Sequence, residues 1–449
     1  MNVKSLVLFT GLCLVLASCQ KDDATNSVQL DADLEKALKN ASNGVGKDFF
    51  VLPLSNQFAK IPQDPKNPIT QAKIDLGALL FHETGIGLSP KHTEATGTYS
   101  CASCHFASAG FQAGTHQGIA DGGVGFGVNG EGRVPNPLYD FTELDVQPVR
   151  SPSAMNMAYQ EAILWNGQFG AVGVNAGTEA NWTSGTPKFV NHLGYHGVES
   201  QAIAAQDVHR LKVDQQICID LNYRQMFDKA YPNVPPPQRY DKEHAGLAIA
   251  AYERIILANQ APFQLWLRGN SNALTEQEKR GAILFFGKAG CADCHSGPSL
   301  AKMEFYGLGM KDLFENPQIT YGADVNSGGN NGRFDFTKKE EDKFKFKVPQ
   351  LYNLADSPFY GHGSSFTNIR DVVAYKNKAV KENDRVPDSQ LAEQFKPLKL
   401  SETEIDDITA FLKDALRDPN LLRYQPLSIR SGNCFPNNDP QSKLDLGCN

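Results

Sequence analysis

The chain has 449 residues, too many for one compact core, so two or three domains are expected. Its 41% hydrophobic and 21% charged residues give the balance of an ordinary soluble protein. The net charge of −7 comes with no basic run, which argues against a nucleic-acid partner.

Residues 1–18 read as a signal rather than as part of the fold. Lys4 supplies a positive start, and Leu6 to Leu16 form an apolar run too short to span a bilayer. Leu16-Ala17-Ser18-Cys19 then matches the site at which a bacterial signal is cut before a lipid-modified cysteine. An ordinary cleaved signal, with Cys19 a bystander, is the alternative. Both readings export the chain to the periplasm or cell envelope, the first with a lipid anchor on a membrane.

Polar residues 20–27 suggest a tether, followed by a short helix carrying Leu30, Leu34 and Leu38 that breaks at Gly44-Val45-Gly46. Pro53, Pro62, Pro65 and Pro68 mark an extended segment. Helical spacing resumes over 69–81, in ITQAKIDLGALLF. A glycine-rich link leads to Cys101-Ala102-Ser103-Cys104-His105.

Two thiols two residues apart, with histidine directly after the second, suit covalent attachment of a c-type haem. Cys101 and Cys104 would add across the porphyrin vinyl groups, and His105 would bind iron from the proximal side. A lone CxxCH also suits structural zinc or a redox pair. A second copy, Cys291-Ala292-Asp293-Cys294-His295, makes a dihaem protein the better reading.

Between the copies, 110–132 is glycine-dense loop and 166–195 is polar and irregular. Helical periodicity returns at 201–211 and 244–260, with a proline-rich linker at 232–237. The second haem motif is introduced by LTEQEKRGAILFF, where Thr275 and Glu278 have capping-box spacing. RGAILF echoes the earlier LGALLF, so the two motifs read as an internal repeat. A Gly/Asn loop spans 324–333, and 404–416 reads as a terminal helix. Cys434 and Cys448 bracket a polar tail that a disulfide can close in an oxidising compartment. Cys218 is left as a buried apolar filler. Strand signals are few, so the fold is expected to be mainly α with long loops.

Several phrases go further. RSPSAMNMAYQEAILWNG at 150–167, AIAAYERIILANQAPF at 248–263 and FKVPQLYNLADSPFYGHGSSF at 346–366 accompany the two CxxCH sites in this order. The chain thereby resembles the bacterial dihaem cytochrome c peroxidases, a family that includes the methylamine-dehydrogenase maturation enzyme. The likeness runs from about Leu76 to Leu416.

The resemblance implies two cytochrome c-like haem domains, at 48–235 and 236–420, flanked by 19–47 and a tail at 421–449. The haem on His105 would meet hydrogen peroxide. The haem on His295 would accept electrons from a small donor protein, a cytochrome c or cupredoxin. Trp165, in Leu164-Trp165-Asn166-Gly167, takes the position of the family's inter-haem tryptophan; a plain core aromatic is the alternative. The resemblance also admits calcium between the domains and a homodimer, although Ser151 stands where the family's phrase has asparagine.

Departures concentrate on the distal sides. His116 is the candidate for the family's displaceable loop histidine but sits early; His82 and His92 are weaker candidates. The family's catalytic glutamate position falls on Leu211, ten residues after Gln201 in Glu199-Ser200-Gln201-Ala202. His209 is the nearest group able to carry a proton, with Glu199 a fallback. For the second haem, the distal ligand position falls on Tyr375 or Lys376. No methionine is there, though Met303 and Met310 follow the second CxxCH. His362 reads as an interface or propionate residue. The expected activity is peroxide reduction; the alternatives are peroxide-driven oxidation of a protein or small molecule, and plain electron transfer.

Overall fold

The computed structural model describes residues 19–448. It is mainly helical with little sheet. In chain order the helices are α1 (Cys19–Ala41), α2 (Gln71–His82), α3 (Gly197–Val208), α4 (Gln215–Asp220), α5 (Arg224–Ala230), α6 (Pro236–Arg239) and α7 (Lys242–Ile255). The second half adds α8 (Pro262–Leu267), α9 (Glu276–Phe286), α10 (Phe334–Thr337), α11 (Ile369–Lys378), α12 (Glu402–Ala410) and α13 (Pro440–Leu446). Two short antiparallel pairs, Gly123–Val124 with Val134–Pro135 and Phe305–Tyr306 with Phe346–Lys347, staple loops together.

The repeated Gly-Ala phrase has a steric cause. At Gly77 of α2, an added Cβ would collide with the carbonyl oxygen of Ala248 in α7. At Gly281 of α9 it would collide with the carbonyl of Asp407 in α12. Each haem motif is thus introduced by a helix that needs glycine to cross its partner closely. Both helices start on a side-chain cap: Thr70 accepts from Lys73 N, and Thr275 forms a reciprocal capping box with Glu278.

One continuous core joins the two units. Leu76, Leu80 and Phe81 of the first unit and Phe263, Phe285 and Phe411 of the second belong to it, all nearly sealed from solvent. Burying each side chain contributes roughly 1.5–3 kcal/mol. Phe411 meets the rings of Phe263 and Phe285 at 5.2 and 5.4 Å, geometries favoured by the aromatic quadrupole.

Two segments differ from the sequence expectation. The tether and short helix are one helix from Cys19, because no proline or glycine interrupts the stretch before Ala41. Leu34 and Leu38 are buried, and Asp31 pairs with Lys279 and accepts from Trp266, so α1 lies on the second unit. The signal and the side chain of Cys19 lie outside the described residues. No helix among the described residues is long and apolar enough to cross a membrane.

The tail returns to the first unit. Its Cys434–Cys448 disulfide closes a loop whose Pro436 carbonyl accepts from both Ser100 and Ser103, flanking the first CxxCH. Asp439 pairs with Arg133, whose guanidinium gathers the carbonyls of Ile119, Ala120 and Gly125. The glycine-dense loop at 110–132 is thereby tied down by the end of the chain.

Candidate active site

The two CxxCH segments fold alike. Each opens on a 3-10 turn, Cys101–Ser103 or Cys291–Asp293, and carries two free, half-buried thiols. The ring Nδ1 of His105 meets the carbonyl of Phe111 at 3.2 Å, and that of His295 meets Leu300 at 3.0 Å. Both carbonyls belong to residues with positive φ, Phe111 at 53° and Leu300 at 51°, a left-handed turn that aims the oxygen at the ring. Burial holds both imidazoles down to about 4, so each is neutral. A neutral ring that donates from Nδ1 presents a bare Nε2, the form that ligates a metal. Two unpaired thiols beside such a ring fit haem c at both places. A haem bound there supplies one-electron iron chemistry.

Around the second motif the chain leaves a cavity of about 290 Å³, partly open to solvent and comparable with a small-molecule pocket. Cys291, Cys294 and His295 line it, and Met310 and Lys376 reach it from other walls. Along α11 the lining residues are Ile369, Val372, Val373 and Lys376, the stripe that a helical period places on one face. Tyr375 lies off that stripe. Its hydroxyl donates to the carbonyl of Leu308 and its ring packs between Phe366 and Phe395. Of the two expected ligand positions, only Lys376 faces the cavity. Burial pulls its ammonium down to about 8, partly offset by attraction to Cys294 and Cys291. Met303 is outside the lining; its sulfur accepts from Ala162 N.

The wall nearest the first unit holds Trp165, Arg150, Lys347 and His362. Trp165 donates from Nε1 to the Arg150 carbonyl at 2.8 Å. Two residues later, the Pro152 carbonyl lies near the ring of His105 and favours its protonated form slightly. His362 stacks on Phe346 with centroids 3.6 Å apart and bonds Asp312 at 2.9 Å, while its own carbonyl accepts from Arg150 N. Arg150 and Lys347 are buried cations whose hydrogen bonds go to neutral groups: Thr115, Gln112 and Ser357 for the first, Gln160 for the second. Desolvation lowers Arg150 to about 10 and Lys347 to about 8. Such a wall suits anionic propionate groups.

Beside His105, His209 bonds Asp145 at 3.0 Å through Nδ1 and stays half exposed. Burial opposes its imidazolium, but the attraction and hydrogen bond of Asp145 outweigh that and raise its pKa. The arrangement orients an imidazole by a carboxylate and leaves Nε2 available for proton transfer. Leu211, the family glutamate position, is buried apolar core.

The other candidates are placed elsewhere. Glu199 has no exposed surface, and Arg254 bonds its carboxylate oxygens at 2.8 and 2.6 Å, which makes it a core ion pair. His116 bonds the carbonyl of Ile319 and its own carbonyl accepts from Ser364, so it joins loops of the two units. His92 pairs with Glu143 at the surface. His82 is fully buried, bonded to Ala78 O, with Nε2 unpartnered. Among the described residues no three His, Cys, Asp or Glu gather as metal ligands would.

Sequence reasoning passed over Asp145, 64 positions from His209 in an unpatterned loop. It also passed over Glu253, whose buried carboxyl is pushed up to about 8 by desolvation and by Glu199. That carboxyl acts on the Cys101 thiol and has an unpartnered oxygen. Its place in AYER, among core residues, gave no signal.

A family model for "Di-haem cytochrome c peroxidase" matches residues 71–272. Methylamine utilization protein MauG of Methylorubrum extorquens is 26% identical over 364 residues, covering 80% of this chain and 82% of that protein. Cytochrome c peroxidase Ccp of Escherichia coli is 30% identical over 352 residues, 78% of this chain but only 59% of the longer relative. Among solved structures, a MauG-like protein associated with microbial copper homeostasis shares the fold at TM-score 0.55 and 23% identity. That likeness covers 83% of this chain and 96% of the other.

Proposed function

The chain belongs to the di-haem cytochrome c peroxidase family, and from that membership we propose that it reduces hydrogen peroxide to water with electrons from a small redox protein. Each turnover consumes two electrons and two protons. Electrons enter at the unit built on Cys291, Cys294 and His295 and leave for peroxide at the unit built on Cys101, Cys104 and His105. The observation that carries the reading is the pair of matching proximal sites, with Trp165 lining the cavity of the second. Its indole bonds the Arg150 carbonyl, two residues before Pro152, which lies near His105.

His209, oriented by Asp145, moves the proton between the peroxide oxygens. Arg150 and Lys347 would hold the propionates of a haem bound at the second site. The Cys434–Cys448 disulfide supports export to an oxidising compartment, where Cys19 anchors the mature chain to lipid.

The test uses purified, haem-loaded protein, oxidised and then half-reduced, followed by optical and EPR spectroscopy before and after peroxide. A high-spin signal on half-reduction, with peroxide-dependent oxidation of a reduced donor cytochrome, is the expected result. Two haems that stay low-spin and ignore peroxide in every redox state would leave only an electron carrier.

A further inference from the structure

We propose that Lys376 is the distal iron ligand of the haem held by Cys291, Cys294 and His295. The inference rests on reading this cavity as a haem site, and not on peroxide being the substrate.

Three observations meet here. The inward face of α11 is apolar at Ile369, Val372 and Val373, and ends in a single nitrogen donor at Lys376. Tyr375 is turned about 100° around the helix. Its hydroxyl is engaged by Leu308 and its ring is wedged between two phenylalanines, so reaching iron would mean unwinding the last turn of α11. Lys376 has no carboxylate or hydrogen-bond partner among the described residues; its Nζ lies only over the Phe395 ring, 5.8 Å from the centroid.

An amine placed among apolar side chains with no acceptor is costly as an ammonium. Ligation removes that cost. The ammonium releases one proton to solvent, its lone pair forms the bond to iron, and no electron changes hands. Met310 is the competing donor on the same wall. Its sulfur, however, packs against the 361 turn, where a Cβ on Gly361 would lie 3.1 Å from it. Lysine also fits the chemistry of the cavity, where His295 offers a second nitrogen. The resulting His/Lys centre would have a lower reduction potential than the His/Met centre that a methionine at this position would give.

The experiment uses the full-length protein carrying both haems, checked first by a haemochrome assay. A count below two haems per chain overturns the cofactor reading itself, and with it this one. In K376A, EPR and optical spectra should show one haem passing from low spin to high spin while the other is unchanged. K376M should keep that haem low-spin and raise its potential, and this unbranched variant carries the test if K376A fails to mature. Y375F and M310L should leave the spectra as they are. Wild-type ligand-field signals surviving in K376A and K376M, or lost instead in Y375F or M310L, would overturn the proposal. None of these readouts depends on peroxide turnover.

Discussion

The indole N–H of Trp165 donates to the backbone carbonyl of Arg150, binding the wall of the second cavity to the irregular run of chain that passes near His105. In W165F this link is lost while most of the ring volume stays. Stability should fall by about 0.5–1.5 kcal/mol, the net worth of one hydrogen bond. Electron transfer between the haems should slow, with both spectra unchanged. Stopped-flow reoxidation of the half-reduced protein measures this.

His209 is the acid–base candidate, and H209A should reduce peroxide turnover by about 10²–10⁴-fold with donor binding intact. The pH dependence has a definite sign. Asp145 raises the pKa of His209 above 6.5, so a base at this position is switched off by protonation as pH falls through that raised value. D145N removes the cause and should move the acid limb of kcat/KM to lower pH. The pairing's contribution to stability runs the other way. It is fully present below pH 6.5 and is lost as pH rises through the folded pKa.

Glu199 is expected to matter for folding and not for chemistry. E199Q leaves the Arg254 guanidinium buried without its counter-charge, which costs about 3–5 kcal/mol. Denaturant melts should show that loss. Turnover per correctly loaded molecule should be near wild type; a thousandfold loss at unchanged stability would return Glu199 to the active site.

G281A puts a methyl group into the carbonyl of Asp407 at the α9–α12 crossing. Overpacking of this kind costs about 1–3 kcal/mol. G77A should do the same at the α2–α7 crossing, and thermal melts of the two variants should fall together.

Much of this was legible in the sequence. The CxxCH pair, the repeated glycine and the capping box are local signals; the first and last met a local cause in the structure, and the glycines met helix crossings at Ala248 and Asp407. What stayed hidden depends on facing or on distance. Tyr375 and Lys376 are neighbours in sequence, and only the position of α11 tells which one looks inward. Asp145 reaches His209 from an irregular loop, and the Arg150–Trp165 bond joins two stretches without periodicity. The extent of α1 was hidden by its polarity, since an amphipathic stripe is weak where only Leu34 and Leu38 are buried.

The double variant C434S/C448S opens a loop of sequence separation 14, and a loop of about that size is worth about 3 kcal/mol. The loss should be felt around the first CxxCH, read as faster amide exchange at 98–133, with the second haem undisturbed.

Ser100 and Pro436 are 336 positions apart, yet they touch. The first unit is therefore begun by residues near Ser100 and closed by residues near Pro436, a contact that is slow to form because a separation of 336 positions must be looped to make it. Until residues 434–448 have emerged, Cys101 and Cys104 are without their strap, which leaves an interval in which an attachment enzyme can reach them. A chain cut short before Cys434 would keep both CxxCH motifs and still lack a completed first unit, so a truncation there is expected to act as a maturation defect of the distant first CxxCH.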